Sequence, residues 1–160
     1  CTFDNMWSSL PAAIAGKYKL VKKDPYEEKG DRQILNLGHT FGHVLESHYK
    51  ISHGMAVGLG IRFAINWSRK RRYLTKAKYV QLISLLEPFE MIRTKTSKTT
   101  KSKLSRMSRE ILEEIVAQDK KRVGNSGISF IFLAAAGKPM RKPVTIKQIV
   151  SEAIRQGWIL

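Results

Sequence analysis

Along this chain, amphipathic stretches with apolar residues every three to four positions alternate with short polar breaks, the pattern of packed helices. Residues 10–23 carry Leu10, Ile14 and Tyr18 at i, i+4 and i+8, with Leu10-Pro11 opening the segment. The charged stretch KKDPYEEKGD follows, in which Asp24-Pro25 opposes helix continuation and Gly30 permits a tight bend. A second helix is predicted over residues 32–49 and a third over 54–71. The third holds Gly54, Gly58 and Gly60 beside Ala56 and Ala64. Each glycine weakens an isolated helix by about 1 kcal/mol, so their density implies close approach of another backbone. Thr75 suits the N-cap of a fourth helix that stops before Pro88. Leu104, Met107, Ile111, Leu112 and Ile115 fit one face of a helix over 104–118. GISFIFLAAAG reads as a strand over 128–133, and KPMRKPV as the returning arm of a short hairpin. Thr145 caps a last helix through residue 155, closed by Gly157. The prediction is a mainly α, multi-helical domain with a small β-hairpin and no internal repeat.

Composition narrows the picture. A chain of 160 residues, 42% of them apolar, is one domain or part of a larger one. The longest apolar run, residues 128–136, is too short to span a bilayer. The start at Cys-Thr-Phe, with no charged-then-apolar leader, suggests a fragment of a longer polypeptide. Cys1 is the only cysteine, which excludes an intramolecular disulfide and a CxxC zinc site and fits a cytoplasmic protein. With 29 Lys+Arg against 13 Asp+Glu the net charge is +16, which attracts nucleic acid, acidic lipid or phosphorylated metabolites without choosing among them. The basic stretch RTKTSKTTKSK, residues 93–103, reads as an exposed loop or the lead-in to a helix. It has no aromatic to stack on bases, so no nucleic-acid role is expected.

The candidate chemistry lies in NLGHTFGHVLESHYKISHG, which contains all four histidines. With His39 at the origin of a helical wheel, His43 falls at about 40°, Glu46 at about −20°, Asn36 at about 60° and Arg32 at about 20°. These five polar residues form a stripe about 80° wide, opposite Ile34, Leu37, Phe41, Val44 and Leu45. His48 falls near the apolar side. An ordinary wet helix face would hold Lys and Glu; this stripe holds metal-ligand and anion-ligand types. Two histidines at i and i+4 present two nitrogens to one metal, and His53 can return as a third ligand after a short connection. The zinc-peptidase pattern HExxH is excluded, because Thr40 follows the first histidine.

These residues carry a family resemblance. DPYEEKGDRQILNLGHTFGHVLE followed by HGMAVGLGI resembles the C-terminal domain of 3-dehydroquinate synthase and its relatives, the sugar phosphate cyclases. QDKKRVGNSGISFIFLAAAGKP is similar to a later segment of that family, so the resemblance runs from about residue 17 to 137. It implies the dehydroquinate synthase-like fold, with His39 and His53 as zinc ligands and His43 handling protons of the substrate hydroxyls. It implies substrate-binding roles for Lys17, Glu28, Arg32, Asn36 and one of Lys120 and Lys121. Glu46, which the family assignment omits, is expected to orient a histidine nitrogen. The implied reaction is an NAD-dependent cyclisation of a heptulosonate 7-phosphate with loss of phosphate, in the shikimate pathway. A phosphorylated sugar acid as substrate and a homodimer follow by the same resemblance.

Three departures qualify it. No Gly-rich NAD fingerprint is present. The resemblance implies an NAD-binding α/β domain and a glutamate zinc ligand upstream, so this chain alone is expected to lack NAD, to bind zinc weakly and to be inactive. Met55 stands where the family has the glutamate of HGEAV, which leaves room for another cyclase, such as one like 2-deoxy-scyllo-inosose synthase. The link from His43 to His53 is also shorter than usual. A non-catalytic basic helical domain binding acidic partners is the remaining alternative.

Overall fold

A computed structural model describes residues 3–28, 30–86, 107–120 and 127–159. Residues 93–106 and Lys121 therefore lie outside the described residues, as does the side chain of Lys120. The chain forms two compact units, residues 1–36 and 37–160.

In the first unit, helix α1 spans Phe3–Lys23. It runs through Pro11, where a start had been expected. Proline keeps a helical φ and forfeits one backbone donor, and Trp7 extends the stripe of Leu10, Ile14 and Tyr18 by another turn. The turn after α1 is tied by the Lys23–Asp31 ion pair at 2.8 Å and by the Arg32 guanidinium donating to the Pro25 carbonyl at 3.0 Å. Asp24 is buried beneath it, and Gly30 takes the left-handed φ of 73° that the bend needs. Arg32–Asn36 is a 3-10 helix.

This corrects the continuous helix expected over 32–49. The α-helix proper, α2, spans His39–Tyr49 and is preceded by Gly38 at φ 82°. A left-handed residue cannot continue a right-handed helix. Packing holds the break in place: a Cβ on Gly60 would lie 2.0 Å from the Gly38 carbonyl oxygen and 2.8 Å from the Gly42 nitrogen. Arg32 and Asn36 are thus not on the helix that carries His39 and His43, and the wheel holds only from His39 onward.

In the second unit, α3 spans His53–Lys70 and runs back along α2. The expected close approach is real at Gly60, whereas Gly54 faces open space. Helix α4, Lys76–Ser84, is capped by Thr75, whose hydroxyl accepts the Lys78 N–H. Helix α5 spans Arg109–Lys120. Strands β1, Ile128–Ala135, and β2, Lys138–Val144, form the expected antiparallel hairpin with Phe132 opposite Met140. Helix α6, Ile146–Arg155, starts with a full capping box between Thr145 and Gln148.

The core is aromatic. Phe41 of α2 stacks on Phe63 of α3 at 3.9 Å, and Trp67 meets Phe130 and Phe132 of β1 edge-on at 4.8 and 5.1 Å. Ser68, fully buried, donates to the Ala64 carbonyl at 2.7 Å and accepts the Leu133 N–H at 3.0 Å. That hydroxyl adds a hydrogen bond between α3 and the hairpin to the aromatic contacts. Among the described residues, no helix is long and apolar enough to cross a membrane.

Candidate metal and substrate site

His39 opens α2, and His43 lies one turn further on the same face. Because α3 runs antiparallel to α2 after a three-residue connection, its first residue, His53, comes level with Glu46. Three imidazoles therefore meet. Ring centroids are 5.6 Å apart for His39 and His43, 5.4 Å for His39 and His53, and 6.1 Å for His43 and His53. His48 instead meets Tyr49 edge-on at 4.6 Å.

Hydrogen bonding distinguishes the rings. Nδ1 of His39 faces the Leu37 carbonyl at 3.4 Å, and Nδ1 of His53 faces a Glu46 carboxylate oxygen at 3.0 Å. With the proton on Nδ1, each ring offers the lone pair of Nε2. His43 makes no hydrogen bond among the described residues. Partial burial pushes His39 below the ordinary histidine value; the Leu37 carbonyl opposes this, and the neighbouring His43 and His53 reinforce it. A neutral imidazole is the form that ligates a metal.

The donor set suits a divalent cation. Ligand atoms of His43, Glu46 and His53 lie within 4.8 Å of one another. His39 is outside that tight set, although its ring adjoins two of the three. The geometry thus offers two imidazole pairings around His53, one with His39 and one with His43. Glu46 was visible on the helical wheel, but its reach to His53 was not, since that contact depends on how α2 and α3 pack.

Beside His43 lies a groove of about 320 Å³ between α2 and α5, lined by Thr40, Ser47, Ile115 and Gln118 among others. Gln118 had no local signal as a site residue, because α5 is more than sixty residues away in the sequence. The other expected substrate residues lie elsewhere in the chain. Lys17 is exposed on α1, Glu28 is exposed in the turn, and Arg32 and Asn36 lie in the 3-10 helix, all in the first unit. Lys120 ends α5.

A crystal structure of 2-deoxy-scyllo-inosose synthase, complexed with carbaglucose-6-phosphate, NAD+ and Co2+, superposes with a TM-score of 0.70 over 96% of this chain and 41% of that one, at 20% identity. This chain has the fold of the matched part of that synthase. The family model for the 3-dehydroquinate synthase C-terminal domain matches residues 4–122, and the chain belongs to that family. The 3-dehydroquinate synthase of Pyrobaculum aerophilum is 38% identical over 88 residues, covering 55% of this chain and 26% of that protein. That of Aeropyrum pernix is 32% identical over 148 residues, covering 91% of this chain and 38% of that protein. The chain thus spans well under half the length of these relatives.

Proposed function

We propose that this chain is the metal- and substrate-binding part of a cytoplasmic 3-dehydroquinate synthase-like enzyme, with zinc or another divalent cation held by His39 and His53. The observation that carries the metal reading is the matched pair of Nδ1 contacts. His39 turns its Nδ1 to a backbone carbonyl and His53 to a carboxylate, the arrangement in which outer partners orient imidazole ligands. The cyclase reading rests on family membership. Metal bound there would act as a Lewis acid toward a substrate oxygen.

His43 takes the proton-handling role. Its ring adjoins both His39 and His53, and it makes no hydrogen bond among the described residues, so it is free to exchange a proton with a substrate hydroxyl. Glu46 holds His53 in orientation. By family resemblance, Lys17, Glu28, Arg32, Asn36 and one of Lys120 and Lys121 bind the substrate, a phosphorylated sugar acid. Cationic donors suit both its phosphate and its carboxylate.

The NAD expected for this chemistry does not fit the described residues. Their sheet is one antiparallel hairpin, with no parallel strand-helix-strand unit to cradle a pyrophosphate. We assign the dinucleotide to a part of the protein outside this chain.

Cobalt titration of the full-length protein tests the metal assignment. His39→Ala and His53→Ala should each weaken binding by well over tenfold, while His43→Ala should retain it. Undiminished affinity in both of the first two would sink the assignment.

A further inference from the structure

The far end of α3 carries a second concentration of chemistry. His53 and Lys70 are its first and last residues, so the two ends lie about 25 Å apart. At the Lys70 end two depressions flank that lysine. One, of about 340 Å³, is lined by Trp67, Lys70, Arg71, Lys147, Ser151 and Glu152, with Gln148. The other, of about 480 Å³, includes Arg69, Lys70, Tyr79 and Arg155. Together they present five cations and a single carboxylate.

That carboxylate is already engaged. Glu152 is buried, and it accepts from Lys70 at 3.3 Å, from Arg155 Nε at 2.9 Å and through a second Arg155 nitrogen, and from Gln156 at 2.6 Å. It therefore fixes the positions of Lys70 and Arg155 and leaves the other cations uncompensated. Arg71 is held differently: its guanidinium stacks over Trp67 at 5.0 Å and over Phe132 at 5.2 Å. Arg71 and Lys147 make no ion pair among the described residues. A planar guanidinium pre-oriented by stacking, two ammonium groups and the Ser151 hydroxyl converge on one small groove.

We propose that this groove is a second anion site, separate from the histidine cluster, that binds the phosphate of a small phosphorylated ligand. Phosphate offers the charge and the several acceptor oxygens that this many donors need. A nucleic-acid strand fits less well, because Trp67 lies buried under Arg71 and gives bases no face to stack on. The inference does not rest on the cyclase reading, since no residue is shared with the histidine site.

The test is calorimetric titration of the metal-free full-length protein with inorganic phosphate and pyrophosphate at low ionic strength. Lys147→Glu replaces an exposed cation and leaves the core intact; it should weaken binding about tenfold or more, as should Arg71→Gln. His53→Ala, at the other end of α3, should leave this binding unchanged. Wild-type affinity in both Lys147→Glu and Arg71→Gln would overturn the proposal, as would loss confined to His53→Ala. Affinity that rises steadily with the length of a single-stranded oligonucleotide, above that for pyrophosphate, would overturn the small-ligand assignment.

Discussion

A carboxylate oxygen of Glu46 lies 3.0 Å from Nδ1 of His53, so a side chain of α2 holds the ring that begins α3. The two residues are seven apart in sequence, on different helices. If Glu46 orients His53, Glu46→Gln keeps an oxygen that accepts the Nδ1 proton and should retain most metal affinity. Glu46→Ala should lose about 10- to 100-fold. Cobalt titration of both variants separates this from direct ligation, in which Gln and Ala would lose affinity alike.

His43 differs from its neighbours in having no orienting partner among the described residues. His43→Asn in the full-length protein is expected to keep its metal content and lower kcat by about 10²- to 10⁴-fold, the usual worth of a general acid–base group. Metal analysis beside steady-state kinetics checks this. Loss of metal in parallel with activity would move His43 into the ligand set, in line with its place beside Glu46 and His53.

The crossing of α2 and α3 makes opposite demands on two glycines. Gly60→Ala would drive a methyl into the Gly38 carbonyl, which lies 2.0 Å from the ideal Cβ position. It should destabilise the fold by about 1–3 kcal/mol and weaken metal binding through displacement of α2. Gly54→Ala meets nothing within 4 Å and should stabilise by up to about 1 kcal/mol through helix propensity. Urea melts of both variants decide the matter; equal effects would mean that the helices do not pack this closely.

Ser68→Ala removes the one hydroxyl that accepts the Leu133 N–H, leaving a buried donor unmatched. The expected cost is about 1–3 kcal/mol, with little loss of volume. Hydrogen exchange at Leu133 should accelerate more than exchange in α2; a uniform change along the chain would contradict the local role.

Much of this was legible in the sequence. Thr75 and Thr145 mark the starts of α4 and α6 because their hydroxyls cap the local backbone. The spacing of His39, His43 and Glu46 put them on one face because neighbours four apart on a helix are neighbours in space. The extension of that face back to Arg32 failed at Gly38. Glycine is compatible with many conformations, and the left-handed one at Gly38 accompanies close packing against α3 at Val57, Gly60 and Ile61.

By itself the sequence determined the helical periodicity, the caps, the hairpin and the resemblance carried by GHTFGH and HGMAV, all written in residues a few positions apart. Tertiary structure alone decided that His53 meets Glu46 and the other imidazoles, and that Ser68 ties α3 to β1. It also decided that Lys70 reaches Glu152, 82 residues away, at the rim of a basic groove. The physical reason is range. Capping and periodicity are settled by bonds within a turn or two, whereas each of these contacts exists only once whole elements have packed and excluded the alternatives.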